Sequence, residues 1–149
     1  MSPEDFLQVQ QVNVTGTWLS CRAVVPGMKR RGYGRIVNIG SALSVRGLAE
    51  RTPYATSKGA VMNLTRCLAV ETAPNGITVN AILPGFFATD LNVALLKKPA
   101  VVRKLTDRVP MGRWGKLAEI GAAALFLASP GASYVTGTAL SVDGGWTAA

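Results

Sequence analysis

The sequence contains no histidine, and among its 149 residues there are only two cysteines, Cys21 and Cys67. The absence of histidine excludes Ser-His-Asp hydrolysis, Cys-His catalysis and zinc sites ligated by imidazole. Two cysteines are too few for a disulfide framework or for a metal site with four thiolates. We therefore expect no metal site, and any acid–base chemistry has to come from other side chains.

Long apolar runs are also missing, since stretches such as residues 122–128 are far too short to cross a bilayer. The first residues are acidic and lack the basic-then-apolar order of a signal peptide. Charged residues are scarce at 16%, whereas hydrophobic residues reach 48%, which is enough to bury a core. These features predict a single cytoplasmic domain over residues 1–149 that does not associate with a membrane.

The formal net charge of +8 raises the question of nucleic-acid binding. The densest basic cluster, residues 29–31, falls where a helix is predicted to end, and cations at that place complement the helix dipole. The other basic residues are scattered along a different segment, without interleaved aromatic side chains for base stacking. We therefore favour a solvated or dipole-complementing role for these charges and expect no nucleic-acid partner.

Helices and short apolar strands alternate along the chain, which is the order of a parallel α/β sheet. The predicted strands cover 35–40, 77–82 and 138–142, and the predicted helices cover 3–31 with a break near Gly16, 54–73, and a buried alanine-rich stretch at 117–128. Ser2 and Thr52 are the predicted N-caps, and a helical stretch over 87–108 is expected to be interrupted by Pro99. Together these elements make half of a doubly wound sheet with about three strands and flanking helices.

The most informative local pattern is a tyrosine followed four residues later by a lysine, Tyr54 and Lys58, at the start of a predicted helix. Four residues make about one helical turn, so the phenol and the ammonium share a face. A nearby positive charge and a helix N-terminus both favour the phenolate form of a tyrosine. In a chain without histidine this pair is the best proton donor, although a surface tyrosine beside a solvated lysine has the same pattern.

Two predicted strand ends supply further candidate residues. Ser41 follows the first strand, and the carboxyl ends of parallel strands border the crevice where ligands bind. Its hydroxyl could polarise a substrate carbonyl, or it could simply cap a turn. After the second strand, Gly85 allows a flat ligand to approach and Thr89 can reach an amide or phosphate, but this pattern alone indicates only a turn.

These segments resemble motifs of the short-chain dehydrogenase/reductase family in order and spacing, with NIGS at 38–41, YATSK at 54–58, GITVN at 76–80 and PGFFAT at 84–89. NVTG at 13–16 and VDGG at 142–145 are also similar, so the resemblance covers essentially the whole chain. Within the family, residues 52–92 and the GRWG segment at 112–115 look most like gluconate 5-dehydrogenase-type members. The resemblance implies a partial Rossmann-like, doubly wound parallel sheet.

The resemblance implies hydride transfer between a nicotinamide cofactor, NAD or NADP, and a carbonyl or secondary alcohol. Tyr54 would be the acid/base, and Ser41 would hold the substrate oxygen. Lys58 would favour ionisation of the tyrosine and hold the cofactor ribose, and Asn13 would anchor a water that relays protons to this lysine. The nicotinamide end of the cofactor would contact Tyr54 and Lys58. It would also contact Pro84, Gly85, the backbone of Phe87, and Thr89.

The sequence has no counterpart of the glycine-rich TGxxxGxG turn with which the family holds the cofactor pyrophosphate. Gly27, Gly32 and Gly34 lie near a predicted helix end, in the wrong order relative to any strand. We therefore expect the chain to correspond to the C-terminal portion of a family member, without the N-terminal nucleotide-binding half. The strand at 35–40 would then have a bare apolar edge, and cofactor binding would be very weak or absent.

The resemblance also implies partners. The helices over 3–31 and 54–73 are those with which the family oligomerises, so a homo-oligomer, dimer or tetramer, is expected, with the last helix and strand as a second interface. A sugar acid such as gluconate is the first choice of substrate, because a positive surface suits an anion. The alternatives are a 3-oxoacyl thioester on an acidic carrier protein that docks at residues 29–31, or a non-catalytic oligomerising remnant of such an enzyme.

Overall fold

The computed structural model describes residues 1–89 and 96–149. In these residues the helices are α1 (Pro3–Gln10), α2 (Gly16–Arg31), α3 (Thr52–Thr72), α4 (Pro99–Thr106) and α5 (Leu117–Ala128). The strands are β1 (Gly34–Ile39), β2 (Ile77–Pro84) and β3 (Ala139–Val142). A π-helical segment, Gln11–Thr15, joins α1 to α2, and short 3₁₀ turns occur at Ala42–Ser44, Ala73–Asn75 and Pro130–Ala132.

The three strands form one parallel sheet in the order β1-β2-β3. Ile36 of β1 pairs with Val79 of β2, and Ile82 of β2 pairs with Leu140 of β3. Strand β2 lies in the centre and is buried along nearly its whole length, as expected for a strand covered on both faces. The predicted α/β class and the parallel three-stranded sheet are therefore confirmed.

Helices α2 and α3 cover one face of the sheet and form the main core with it. The buried members of this core cluster are Cys21, Ile36, Ala69, Ile77 and Val79. Leu64 and Leu68 of α3, which recur at helical spacing with Val61 in the sequence, pack against the cluster and are partly buried. Val61 is fully buried. The helical period read from the sequence thus indicates the correct face of α3.

The start of α1 and the end of α2 agree with the sequence, whereas the start of α3 does not. Ser2 caps α1 as predicted, since its hydroxyl accepts a hydrogen bond from the Asp5 backbone N–H at 3.1 Å. Gly32, with a φ of 65°, ends α2 in the left-handed conformation. The predicted N-cap at Thr52 is wrong, because α3 already begins at Thr52 and Arg51 is the residue before it. No side chain caps this end of the helix.

The segment predicted as a helix over 87–108 differs from the expectation at its start. Phe87 forms a bridge with Gly115 instead of starting a helix. The helical stretch is interrupted at Pro99 as predicted, since residue 96 is helical, residues 97 and 98 are not, and Pro99 begins α4. Proline fits the first helical position, where its missing N–H needs no partner. Residues 90–95 of the predicted stretch lie outside the described residues.

Helix α5 has the predicted bounds, but it is not buried as its composition suggests. Leu127 is buried, whereas Leu125 is 74% exposed and Phe126 is 49% exposed. The helix packs against the sheet with one face, and within the described residues nothing covers the other face. Hydropathy reports which side chains tend to be buried, not whether a neighbour is present to bury them. None of the described helices is both long and apolar enough to span a membrane.

Because Val61 is completely buried on α3, we expect Val61→Ala to lower the free energy of unfolding by about 2 kcal/mol. The matched control is Val70→Ala on the same helix, where the side chain is 78% exposed and the change stays within about 0.5 kcal/mol. Urea unfolding of both variants measures the difference. Equal effects of the two substitutions would contradict the packing described for α3.

Candidate active site

The position of Lys58 is set by a contact between helix α3 and the end of β1. Its Nζ donates a hydrogen bond to the backbone carbonyl oxygen of Ile39 at 2.9 Å. The side chain is partly buried, and this burial lowers the pKa of Lys58 because desolvation disfavours the charged form. Ser44 donates from its hydroxyl to the Lys58 backbone carbonyl at 2.8 Å. The ammonium is thus held at the carboxyl end of a parallel strand, where ligands commonly bind in α/β sheets.

Tyr54 lies one helical turn before Lys58 and shares its face. The Lys58 Nζ is 5.7 Å from the centroid of the Tyr54 ring. The tyrosine side chain is 39% exposed, so a ligand can reach it from solvent. This arrangement is the juxtaposition that the four-residue spacing predicts.

Ser41 lies two residues beyond Ile39, in the turn that follows β1. Its hydroxyl oxygen accepts a hydrogen bond from the Leu43 backbone N–H at 3.1 Å, so it caps the 3₁₀ turn Ala42–Ser44. This bond uses one acceptor position, and within the described part of the chain the Ser41 hydroxyl donates to no partner. The turn-capping interpretation is therefore correct, and it leaves the proton of this hydroxyl available to a substrate oxygen.

A short chain of contacts brings the three candidate groups to one end of the sheet. Ile39 holds the lysine ammonium, Ser41 follows two residues later, and Ser44 bonds back to the Lys58 carbonyl. The Tyr54 ring lies next to the same ammonium. A phenol, an ammonium and a hydroxyl are the groups needed to protonate and polarise a carbonyl oxygen.

Asn13 reaches the site indirectly, through a serine that the sequence analysis did not select. The Asn13 side-chain amide donates to the Ser57 hydroxyl at 3.0 Å, and this hydroxyl donates to the Tyr54 carbonyl at 2.7 Å. Ser57 is fully buried. Its only sequence signal is its place in YATSK, immediately before the lysine. Asn13 lies in the π-helical segment Gln11–Thr15, a feature frequent at functional sites. The water that Asn13 is expected to anchor stays a prediction.

The residues after β2 are packed against the segment that follows β3. The Gly85 N–H donates to the Val142 carbonyl at 3.0 Å. A Cβ atom on Gly85 would lie 2.7 Å from the Cα atom of Asp143, so packing alone already requires glycine here. Pro84 is the last residue of β2, and Phe87 is buried where it meets Gly115.

A second feature that the sequence analysis missed is the apolar floor beneath the Ser41 turn. Its buried members are Ala42, Leu43 and Trp146. Leu48, Ala55 and Phe86 pack against them, and the Phe86 and Trp146 ring centroids are 4.7 Å apart. The only sequence signal for Trp146 is its position directly after VDGG. This floor joins the turns after all three strands.

A separate cavity of about 290 Å³ lies beside Phe86 and Asp143 and does not include Ser41, Tyr54 or Lys58 in its lining. At its border Arg113 and Glu119 form a salt bridge at 2.6 Å. The hydrogen bonds from Arg113 and from the Lys116 backbone lower the pKa of Glu119 to about 2. This cavity is distinct from the cluster around Tyr54.

Comparison with known proteins finds related sequences and structures. The protein family described as enoyl-(acyl carrier protein) reductase matches residues 1–147 of the chain. Galactitol 2-dehydrogenase (L-tagatose-forming) of Cereibacter sphaeroides is 48% identical over an alignment of 145 positions, and the match covers 94% of this chain and 56% of that protein. The chain belongs to the short-chain dehydrogenase/reductase family.

Other members of the short-chain dehydrogenase/reductase family are also similar. The 3-oxoacyl-[acyl-carrier-protein] reductase of Vibrio cholerae is 39% identical over 97% of this chain and 59% of its own length. The structure of a gluconate 5-dehydrogenase from Burkholderia cenocepacia, in complex with NADP and tartrate, superposes with a TM-score of 0.96 at 41% identity and covers 100% of this chain and 58% of that one. This chain therefore spans between 56% and 59% of the length of these relatives and matches their C-terminal portion.

Because Gly85 is pressed against Asp143, we expect Gly85→Ala to lower the free energy of unfolding by about 1–3 kcal/mol. The matched control is Gly121→Ala in α5, where a Cβ meets no atom within 4 Å and the substitution stabilises by about 0.5–1 kcal/mol. Thermal or urea unfolding gives both values. Unchanged stability of Gly85→Ala would show that ligand approach, not packing, accounts for this glycine.

Proposed function

We propose that residues 1–149 form the C-terminal portion of a short-chain dehydrogenase/reductase domain and carry the catalytic residues of an NAD(P)-dependent oxidoreductase. The reaction is the interconversion of a secondary alcohol and a carbonyl compound. The observation that carries the proposal is the Lys58 ammonium, held at the end of β1 by the Ile39 carbonyl and lying 5.7 Å from the Tyr54 ring centroid. The Ser41 turn at the same strand end supports it.

In this proposal Tyr54, Ser41 and Lys58 have different roles in the reaction at the substrate oxygen atom. In the direction of reduction, the Tyr54 hydroxyl gives its proton to the carbonyl oxygen, and in oxidation the phenolate takes the proton back. The Ser41 hydroxyl donates a hydrogen bond to the same oxygen and polarises the carbonyl. The positive charge of Lys58 stabilises the phenolate that remains. Asn13 and Ser57 hold the first turn of α3, which carries the tyrosine.

The nicotinamide cofactor, NAD or NADP, supplies or accepts the hydride when bound. The residues present suit its nicotinamide end: the Lys58 ammonium can donate to ribose hydroxyls, and Pro84, Gly85, the Phe87 backbone and Thr89 border the site after β2. The phosphate end has no such match, because the sequence contains no glycine-rich turn before a helix N-terminus. This chain by itself therefore has residues that suit the nicotinamide end of the cofactor but none that suit its phosphate end.

We propose a polyhydroxy compound or sugar acid, such as gluconate, as the substrate. Support comes from the galactitol 2-dehydrogenase relative at 48% identity and from the gluconate 5-dehydrogenase structure with bound tartrate. The net charge of +8 favours the approach of an anion. A 3-oxoacyl thioester is the alternative, supported by the reductase of Vibrio cholerae at 39% identity.

A homo-oligomer in the cytoplasm is the state we propose for the chain, as a dimer or tetramer. The apolar face of α5 supports this assembly, since Leu125 and Phe126 are exposed there. The same face also supports the second candidate function, a non-catalytic oligomerising remnant of an oxidoreductase. The experiments below separate this candidate from an enzyme.

The chain alone is expected to bind NADH very weakly, because the cofactor phosphates lack the backbone N–H donors of a glycine-rich turn. Titration with NADH, followed by energy transfer from tryptophan, should give no saturation in the micromolar range. Intact galactitol 2-dehydrogenase of Cereibacter sphaeroides serves as the control and should saturate. Micromolar affinity of this chain would refute this expectation.

For activity, the chain is joined to the N-terminal part of galactitol 2-dehydrogenase that it does not match, and the product is called the hybrid. In the hybrid we expect Tyr54→Phe to lower kcat by about 10²–10⁴-fold, because the proton donor is lost. The control is Tyr134→Phe, which changes a fully exposed tyrosine and should leave kcat unchanged. Oxidation of galactitol and of gluconate, followed through NADH and NADPH absorbance, measures both.

Two results would contradict the proposed function. The first is a Tyr54→Phe hybrid that is as active as the unsubstituted hybrid. The second is a hybrid that folds, as judged by circular dichroism and cofactor binding, but transfers no hydride with any alcohol or ketone of the panel. This second result would favour the non-catalytic candidate.

A further inference from the structure

We infer that Arg46 is a positioning residue for Ser41, which it secures by holding the C-terminal segment 143–149 beneath the Ser41 turn. The role of the Ser41 hydroxyl in this inference rests on the proposed function. The physical coupling between Arg46, the C-terminal segment and the turn does not, and it is tested separately below.

The Ser41 turn is closed internally by short-range hydrogen bonds, and one longer-range bond, from the Ser44 hydroxyl to the Lys58 carbonyl at 2.8 Å, joins it to α3. The Ser41 N–H donates to the Ser44 hydroxyl at 3.1 Å, and the Ser44 N–H donates to the Ser41 carbonyl at 2.8 Å. The Leu43 N–H donates to the Ser41 hydroxyl at 3.1 Å. These three bonds close the turn on itself, and the side that does not face α3 depends on what packs against it.

The packing partner is Trp146, which comes from the far end of the chain. Its side chain is only 4% exposed and shares one apolar cluster with Ala42 and Leu43, the two residues after Ser41. Phe86 contacts the same indole from the turn after β2. The indole is therefore one of the supports of the serine turn, beside the bond from Ser44 to the Lys58 carbonyl.

Arg46 holds this indole from the loop that continues the serine turn. Its guanidinium lies over the Trp146 ring, 5.5 Å from the centroid. Its Nη1 donates to the Trp146 carbonyl oxygen and, at 2.8 Å, to the Ala149 carbonyl oxygen. The exposed Arg46 side chain thus contacts both the ring of Trp146 and the backbone of the C-terminal segment.

The other end of the C-terminal segment is fixed by Asp143. One carboxylate oxygen accepts from the Gly145 N–H at 2.9 Å, and the other accepts from the Thr147 N–H at 2.9 Å and from the Thr147 hydroxyl at 2.6 Å. Asp143 therefore closes the segment into a compact turn, and Arg46 attaches this turn to the loop that follows Ser41.

Loss of the Arg46 attachment should act locally, because the cluster around Trp146 shares no buried residue with the main core around Ile77 and Val79. A planar guanidinium can stack on an aromatic ring and donate in-plane hydrogen bonds at once, which an ammonium cannot. Arg46→Lys should therefore keep the charge and restore only part of the attachment.

The test is amide hydrogen exchange of the complete 149-residue chain, followed by mass spectrometry. In Arg46→Ala we expect about tenfold faster exchange in peptides that cover 41–48 and 143–149, because charge-assisted hydrogen bonds at the segment are lost. Peptides from β2 should be unchanged. Arg46→Lys should give an intermediate rate, and Arg66→Ala, which removes an exposed arginine from α3, should leave both regions as they are.

Two outcomes overturn the inference: equal acceleration in the serine turn and in β2, which is a general loss of stability, or no acceleration in the serine turn. The hybrid gives a second readout, in which Arg46→Ala should lower kcat and leave the KM for NADH unchanged. A hybrid that folds but has no activity contradicts the proposed function only. The amide exchange rates of the 149-residue chain still test the coupling between Arg46, the C-terminal segment and the serine turn. Raised KM for NADH with unchanged kcat would contradict the positioning role.

Discussion

The arrangement of the site depends on one hydrogen bond, from the Lys58 ammonium to the Ile39 carbonyl. It joins the second turn of α3 to the last residue of β1, so the helix that carries the phenol and the strand that leads to Ser41 share a fixed point. Burial of the Lys58 side chain at this place lowers its pKa. The bond from the Ser44 hydroxyl to the Lys58 carbonyl reinforces the connection, because it joins the Ser41 turn to the same helical turn of α3.

Much of the fold could be predicted from the sequence because the signals are local. Strand β2, Ile77–Pro84, is mostly apolar, which is typical of a strand buried on both faces. The shared face of Tyr54 and Lys58 follows from the helical period alone. The order of the motifs was enough to identify the family, and the sheet has the parallel order that this family implies.

The parts that could not be predicted depend on contacts between distant residues or on neighbours outside the described chain. Arg46 and Trp146 are 100 positions apart, and no periodicity in either segment indicates that they meet. The exposure of Leu125 on α5 depends on what lies opposite the helix, which hydropathy does not report. Ser57 looked like an ordinary helix residue because its partner, Asn13, lies 44 positions away.

The orientation of the Ile39 peptide gives Lys58 a second role. The N–H of Gly40 points toward β2, since it donates to the Ile82 carbonyl at 2.8 Å. In a planar trans peptide the preceding carbonyl points the opposite way, so the Ile39 oxygen faces the side of β1 that has no partner strand among the described residues. The Lys58 amine donates to this oxygen. A strand that adds to this side of the sheet would compete with the lysine for the Ile39 carbonyl at the end of its ladder.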